Sequence, residues 1–206
     1  MKREWLESLR PAVSMVVLFT ILTGAVYPLL VWTATHGIFA RQAEGSLLSD
    51  HGRVLGSRLI GQQFTEPQYV WGRPSATGGF PYNAQASGGS NLGPLNPALV
   101  QAAAARIAAL RAADSTLTGP IPVDLVTASG SGLDPDISPA AAYVQVPRIA
   151  RARGIGTETV RALIDRHVDG PTMGVLGEPR VNVLAVNLEL DRSFPARLAG
   201  SILMRP

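Results

Sequence analysis

Apolar residues cover every face of a helix built from residues 11–35, and this stretch contains no charged side chain. About 20 mostly apolar residues, rising ~1.5 Å each, span a hydrocarbon core of ~30 Å. A helix lying half-buried on a soluble domain would be apolar on one face only. The pattern therefore predicts one transmembrane helix over residues 11–35. A cleaved signal peptide is less consistent, because its apolar part runs to about 7–15 residues and ends at a small-residue cleavage site.

Positive charges are concentrated on the N-terminal side of the predicted span. Lys2, Arg3 and Arg10 precede it, whereas Arg41 is the nearest Lys or Arg after it. Lys and Arg close to the end of a span favour the cytoplasmic side. The charges predict a single-pass protein of the cell inner (plasma) membrane, with residues 1–10 in the cytoplasm and the soluble domain periplasmic or extracellular.

Small and polar residues within the span predict a packing partner in the membrane. Ser14, Thr20 and Gly24 allow a neighbouring helix to approach closely. Pro28 removes one backbone hydrogen bond, which inside lipid must be compensated by a neighbouring helix or by a local distortion. We therefore predict these four residues as partner contacts. The alternative is that they are bystanders with no special role.

After the span, the pattern predicts an α+β protein, in which the single N-terminal transmembrane helix is followed by one mixed α/β soluble domain. Residues 36–52 are expected to form a juxtamembrane connector, residues 53–191 the domain and residues 192–206 a loosely held tail. Periodicity and capping signals predict short strands in residues 53–64, a helix from Asn96 to Arg111, a strand over residues 121–127, a helix from Ser138 to Gly154 kinked or split at Pro147, a helix capped by Thr157, and a strand over residues 181–191.

A long irregular stretch occupies residues 65–97, where Gly, Pro, Ser and Asn are frequent. A loop of this length in a compact domain is usually functional or disordered. Its aromatic residues, Tyr69, Trp71, Phe80 and Tyr82, argue against disorder, which is poor in such side chains. We therefore predict an ordered surface loop whose four aromatic residues contact a partner protein.

Composition narrows the possible functions. The formal net charge is +3 and the sequence pI is about 9.8. No lysine occurs after Lys2, and the arginines are scattered among Asp and Glu, so nucleic-acid binding is disfavoured. The chain has no cysteine, which excludes disulfides, thiolate metal sites and cysteine nucleophiles.

Candidate catalytic chemistry is sparse. His36, His51 and His167 lie in no recognisable catalytic motif. The glycine-rich stretches SGGSNLGP and SGSGLDP lack the lysine of a phosphate-binding loop. Asp134 and Asp136 are not followed by the other ligands of an EF-hand. We predict no catalytic residue, no metal site and no firmly bound cofactor.

Four long stretches carry a family resemblance: GSRLIGQQFTEPQYVWGRPSAT, PYNAQASGGSNLGPLNP, IPVDLVTASGSGLDPDISPAAAYVQVPRIARARG and GEPRVNVLAVNLELD. Together with GAVYPLL in the span, they resemble the C-subunit family of the Kdp potassium-transporting ATPases, in that family's order. The resemblance implies a non-catalytic subunit of a high-affinity, ATP-driven potassium uptake complex. Its implied partners are a channel-like potassium-selecting subunit, a P-type ATPase subunit that hydrolyses ATP, and a small single-span subunit.

The resemblance also implies two roles within such a complex. One role is to assemble and stabilise it. The other is that of a catalytic chaperone that raises the ATP affinity of the ATPase subunit, with Gln145 in AAYVQVP contacting the nucleotide. The charge asymmetry places Gln145 outside the cell, and its alternative role is a hydrogen bond to backbone. A different class of function is that of an independent membrane-anchored exported enzyme or binding protein.

Overall fold

A computed structural model of the protein describes residues 2–50 and 52–195, with side chains from residue 7 onward. The chain divides into two compact units, Met1–Ser46 and Leu47–Pro206. His51 lies outside the described residues. Residues 196–206 also lie outside them and make up most of the predicted tail.

The first unit is helical. It consists of α1 (Lys2–Ile21), a π-helical turn (Leu22–Val26), α2 (Tyr27–Ile38) and the short α3 (Ala40–Ala43). Within it, Glu7–Ile38 is long and apolar enough to cross a membrane. Residues 11–35 are therefore helical as predicted, and the helix extends beyond them at both ends.

The π-helical turn ends at Val26, two residues before Pro28. Proline has no N–H to donate, and its ring crowds the carbonyl of the residue four positions earlier, here Gly24. The chain widens locally, so that Tyr27 N donates to Leu22 O, five residues back. Of the two compensations expected for Pro28, the structure contains the local distortion.

The second unit contains two small antiparallel sheets. β1 (Leu47–Asp50) and β2 (Arg53–Ser57) form a hairpin. β3 (Asp136–Ile137), β4 (Val168–Asp169) and β5 (Arg180–Asn182) form a three-stranded sheet with β5 in the centre. These strands, together with the helices that follow, confirm the α+β class. Because the unit begins at Leu47, β1 belongs to the domain, although the sequence predicts residues 36–52 as a connector.

Among its described residues, the domain also contains five α-helices: α4 (Pro97–Ala113), α5 (Pro139–Tyr143), α6 (Val146–Arg153), α7 (Thr157–Asp165) and α8 (Val183–Ser193). The side chains of Asn96 and Ser138 cap α4 and α5 at 3.0 and 3.1 Å, which confirms both predicted starts. The predicted helix that contains Pro147 is split into α5 and α6, since Pro147 cannot donate to the carbonyl four residues back. Gly154 ends α6 at φ +68°, where glycine carries no steric penalty.

Two predicted strands are wrong. Residues 121–127 contain only a 3₁₀ turn at Val123–Leu125, because Pro122 cannot donate to a strand ladder. Residues 181–191 alternate as a strand would, but β5 ends at Asn182, whose side chain accepts from Ala185 N at 3.0 Å and caps α8. Thr157 is the first residue of α7 rather than its cap.

The core lies among α5, α6, α7, α8 and β5, with α5 and α8 packed directly against β5. It also includes Val70 and Trp71, which belong to the stretch predicted as a surface loop. Residues at most 1% exposed include Leu125, Ile149, Val160, Leu163, Ile164, Val181, Val186 and Leu190.

Candidate functional site

The centre of the candidate site is a buried part of the predicted surface loop, residues 68–71, which we call the inner segment. Its four residues are at most 6% exposed, yet they belong to no strand or helix. Buried backbone N–H and C=O groups are costly without hydrogen-bond partners. In the inner segment the partners are side chains from α6, from α8 and from the junction before α6.

Two carboxamides take the place that a neighbouring strand would hold. Asn187 of α8 accepts from Val70 N at 2.8 Å and donates to Val70 O at 2.9 Å. Gln145, between α5 and α6, accepts from Trp71 N at 2.9 Å and donates to Trp71 O at 3.1 Å. Each side chain thus satisfies both backbone groups of one residue, as an adjacent strand does in an antiparallel sheet.

Arg148 of α6 fixes the inner segment from a third direction. Its Nη1 donates to Pro67 O at 2.6 Å and to Tyr69 O at 3.0 Å, and its Nη2 donates to Gln145 Oε1 at 2.6 Å. The guanidinium lies 4.4 Å from the ring centroid of Trp71. Burial lowers the pKa of Arg148 to about 10, so the side chain keeps its charge at neutral pH. Carbonyl oxygens and an aromatic face therefore stabilise this cation.

A buried ion pair completes the network. Arg153 Nη2 donates to Asp191 Oδ1 at 2.9 Å, and both side chains are 0% exposed. Arg153 Nε also donates to Gln68 O at 2.9 Å, and Asp191 Oδ2 accepts from Tyr69 Oη at 2.9 Å. The pair thus ties α6, α8 and the inner segment together, and loss of either partner would leave an uncompensated buried charge.

Residues 73–89, the outer loop, follow the inner segment and are held by hydroxyl groups. Ser75 Oγ donates to Gly132 O at 2.7 Å and accepts from Tyr82 N at 2.9 Å. Tyr82 Oη donates to Arg73 O at 2.7 Å, and burial raises the pKa of Tyr82 to about 12. Gly132 has φ +69°, and a Cβ there would lie 2.7 Å from Gly88 O, so a side chain would displace the loop.

Two exposed apolar features stand out on the domain. Phe80 of the outer loop is 61% exposed. Residues 171–177 form a closed turn, the tip, in which Thr172 N donates to Leu176 O at 2.8 Å and Leu176 N donates to Thr172 O at 3.0 Å. Met173, Val175 and Leu176 of the tip are 89%, 79% and 61% exposed. Contiguous exposed apolar side chains are typical of interaction sites.

The structure corrects the prediction that all four loop aromatics form a contact surface. Tyr69 and Trp71 are 2% and 6% exposed and belong to the inner segment, so they cannot meet a partner without unfolding it. Tyr82 is half-buried in the outer loop. Of the four, Phe80 alone has an exposed ring.

The predicted contacts within the span all lie on exposed faces of the helix. Ser14, Thr20, Gly24 and Pro28 are exposed, and open space surrounds the position that a Cβ on Gly24 would take. A helix could therefore approach closely at this position. Contact of these residues with a partner stays a prediction.

Gln145 has the geometry of the backbone-bonding alternative. It is 3% exposed. Its Nε2 donates to Trp71 O and to Ala141 O, while its Oε1 accepts from Trp71 N and from Arg148 Nη2. Contact with a nucleotide stays a prediction, and it would require these bonds to break.

The ionisable residues singled out in the sequence are dispersed. His36 Nδ1 lies 3.0 Å from Trp32 O on the apolar helix. His167 follows α7, and burial lowers its pKa, so a permanent positive charge at that helix end is disfavoured. Among the described residues, no group of three or more His, Cys, Asp or Glu side chains is placed to hold a metal ion.

Two sets of residues in the structure were not predicted from the sequence. Asn187 and Asp191 of the inner network fall in the stretch predicted as a strand. The available signal was that Asn187 lies between Val186 and Leu188 and that Asp191 follows Leu190, so both polar residues have apolar neighbours. The tip was missed as well. Its signal was an aliphatic cluster, MGVLG, enclosed by glycines and prolines.

The described residues contain one apolar helix of membrane-spanning length, followed by an α+β domain with a buried polar network. This combination is typical of membrane-anchored proteins. A family model described as "KdpC: K+-transporting ATPase, c chain" matches residues 9–192. The chain belongs to the KdpC family.

Individual relatives agree over nearly the whole chain. The chain is 58% identical over 183 residues to the Potassium-transporting ATPase KdpC subunit of Herpetosiphon aurantiacus, which covers 89% of this chain and 95% of that protein. It is 59% identical over 189 residues to the subunit of that name from Variovorax paradoxus, covering 92% and 98%. For Methylibium petroleiphilum the identity is 60% over 187 residues, covering 91% and 98%. The names of these relatives favour a subunit of a potassium-transporting ATPase over an independent exported enzyme.

Proposed function

We propose that this chain is the accessory subunit that assembles and stabilises a potassium uptake complex, while a P-type ATPase subunit hydrolyses ATP. The observation that supports this function is the family match from residue 9 to residue 192, which includes the anchor and the domain together. The proposed partners are the channel-like potassium-selecting subunit, the ATPase subunit and the small single-span subunit.

The proposed orientation has residues 1–10 in the cytoplasm and the domain on the opposite side of the membrane. Lys2, Arg3 and Arg10 support it, because Lys and Arg near a span favour the cytoplasmic side. The chain has no cysteine, so single-cysteine variants report topology directly. A membrane-impermeant maleimide should label Ser90→Cys in spheroplasts and label Ser8→Cys only after permeabilisation. The reverse pattern would overturn the orientation.

The proposed docking surface consists of Phe80 and the tip, in place of the full set of loop aromatics. Met173, Val175 and Leu176 project from a turn that closes its own backbone hydrogen bonds. These exposed side chains therefore contribute little to the stability of the domain. Burial against a partner would contribute ~25 cal/mol of binding free energy per Å² of apolar surface. The channel-like subunit is the proposed partner.

Co-purification tests this surface. The variant Phe80→Ser and the triple variant Met173→Ser, Val175→Ser, Leu176→Ser should each reduce recovery of the channel-like subunit with the full chain. Leu95→Ser is the matched control, since Leu95 is 96% exposed but lies outside both features. Unchanged recovery with both docking variants would contradict the proposed surface. Deleting residues 65–97 is a poorer test, because it removes the inner segment.

The catalytic-chaperone role is tested separately at Gln145. We expect Gln145→Ala to lower the unfolding temperature, because Trp71 N and Trp71 O lose their partner. Below that temperature, the ATP affinity of the assembled pump should stay at its original value. A weaker ATP affinity in a folded, assembled variant would instead support direct nucleotide contact.

A further inference from the structure

A cleft of about 210 Å³ lies beside the inner segment. Residues 63–65 precede the inner segment and residues 72–75 follow it, and both stretches line the cleft together with Arg106 of α4. The volume is several times the roughly 30 Å³ that one water molecule occupies in the liquid. The lining contains two arginines and neither Asp nor Glu. The cleft is therefore cationic.

Arg106 is the cation that lacks a carboxylate partner in the cleft. Its Nε donates to Leu125 O at 3.1 Å and its Nη2 donates to Gly72 O at 3.1 Å. Its guanidinium also lies 5.5 Å from the ring centroid of Trp71. Within the described part of the chain, Arg106 Nη1 has no hydrogen-bond partner. The guanidinium is thus fixed in place with one donor edge unused.

The charge of Arg73, the second arginine, is already compensated, although its Nε is buried and has no hydrogen-bond partner among the described residues. Its Nη1 lies 3.0 Å from Asp134 Oδ2 in an ion pair, and its Nη2 donates to Ala128 O at 3.4 Å.

Arg106, in contrast, has no such partner within residues 7–50 and 52–195. Burial lowers the pKa of Arg106, as expected where a cation has lost water and gained no anion. An incoming anion would therefore interact chiefly with Arg106.

Two polar side chains at the rim are also available. Gln63 and Thr65 are exposed and line the cleft, and their side chains make no hydrogen bond to the described residues. The hydroxyls of Ser75 and Tyr82 are engaged in the outer loop and form the wall. Charged hydrogen bonds between a guanidinium and an oxyanion are about twice as strong as neutral ones.

We propose that this cleft binds one carboxylate or small oxyanion, with Arg106 as its cationic partner and with Gln63 and Thr65 donating at the rim. The anion is either free in solution or an Asp or Glu side chain of another subunit. The chemistry is the same in both cases. Binding of a free anion to this chain alone does not depend on the proposed assembly role.

The first experiment follows the unfolding temperature of the full chain in detergent, as inorganic phosphate replaces chloride at constant ionic strength. A bound anion stabilises the folded state by mass action, so the rise should saturate. In Arg106→Gln the saturable rise should be lost. Arg111→Gln should retain it, because Arg111 is exposed on the same helix and does not line the cleft.

Arg106→Gln could impair folding, since Arg106 also donates to Leu125 O and to Gly72 O. A second variant therefore tests the cleft without changing Arg106. The double variant Gln63→Leu, Thr65→Val changes exposed side chains only. It should raise the phosphate concentration for half-maximal stabilisation by about tenfold. A non-saturating rise in the original chain, or an equal saturable rise in Arg106→Gln, would overturn the proposal.

A second experiment distinguishes the two sources of the anion in the assembled complex. If phosphate still stabilises the complex saturably through Arg106, the ligand is a free anion. If phosphate no longer stabilises the chain once the complex has formed, and if Arg106→Gln reduces co-purification, the ligand is an acidic side chain of a partner. Loss of the docking surface at Phe80 and the tip would leave phosphate binding by the isolated chain intact, so the two proposals fail independently.

Discussion

The inner segment and the tip are both irregular, mostly apolar stretches, yet one lies in the core and the other in solvent. The backbone of the inner segment is bonded to side chains more than 70 residues away, on α6, α8 and the junction at Gln145. The backbone of the tip is bonded to itself between Thr172 and Leu176. The inner segment can therefore be buried because distant polar side chains take the place of a strand, whereas the self-bonded turn of the tip needs no such partners.

This difference separates stability from recognition. Changes to the side chains that bond the inner segment should destabilise the domain. Changes to the apolar side chains of the tip should leave the free energy of unfolding nearly unchanged and affect association. Single substitutions in the network of the inner segment and in the tip test this separation.

The largest effect is expected for Asp191→Ala. The substitution leaves Arg153 buried without its carboxylate and removes the acceptor of Tyr69 Oη. Breaking a buried ion pair in this way costs about 3–5 kcal/mol. Denaturant unfolding of the full chain in detergent, followed by circular dichroism, should show a loss of that size.

The chain offers a matched control at Asp169. Asp169 Oδ2 lies 2.9 Å from Arg58 Nη2, the same distance as in the buried pair, but the two side chains are 45% and 52% exposed. An exposed pair contributes about 0–1 kcal/mol. Similar losses for Asp169→Ala and Asp191→Ala would contradict the distinction between the two environments.

A smaller loss is expected for Asn187→Leu. Leucine has the same branching and the same number of non-hydrogen side-chain atoms, but it leaves Val70 N and Val70 O buried without a partner. Each unsatisfied group costs about 1–3 kcal/mol, so the loss of both partners should lower the free energy of unfolding by at least about 2 kcal/mol. Asn83→Leu serves as the control, since the hydrogen bonds of Asn83 to Gly78 and Gln85 are exposed and water can replace them. A loss under about 1 kcal/mol in Asn187→Leu would show that the carboxamide does not substitute for a strand.

Local patterns predicted the elements whose cause is local. The apolar span, the Asn96 cap and the Ser138 cap each depend on residues within a few positions of one another, and all three are present. The inner segment has no such local cause. Its aromatic residues were predicted on the surface, because nothing near Tyr69 in the sequence reveals that Asn187 and Gln145 will bond its neighbours.

The wrong prediction of a strand over residues 181–191 also has a cause that is not local in the sequence. The stretch alternates well enough for a strand, but seven of the 11 residues of α8 are buried, so its apolar residues are spread too widely around the helix for the helical period to show. The decisive local signal was Asn182, a residue suited to an N-cap, followed by a short apolar run. The geometry of Gln145 matches the backbone-bonding alternative, and its contact with a nucleotide stays a prediction.

The smallest effect is expected for Met173→Gly in the tip. Met173 has φ +55°, which costs a residue with a Cβ about 1–2 kcal/mol. Glycine removes that cost but loses about 0.5–1 kcal/mol of backbone entropy, so the folded state should be stabilised by about 0.5–1 kcal/mol. The opposite change, Gly174→Ala at φ +76°, meets no neighbouring atom within 4 Å and should destabilise the domain through strain alone. We expect Met173→Gly to weaken co-purification while raising the unfolding temperature, because the Met173 side chain would contact the partner and does not pack within the domain. A lower unfolding temperature would show that the Met173 side chain packs within the chain, and the tip would then no longer contrast with the inner segment.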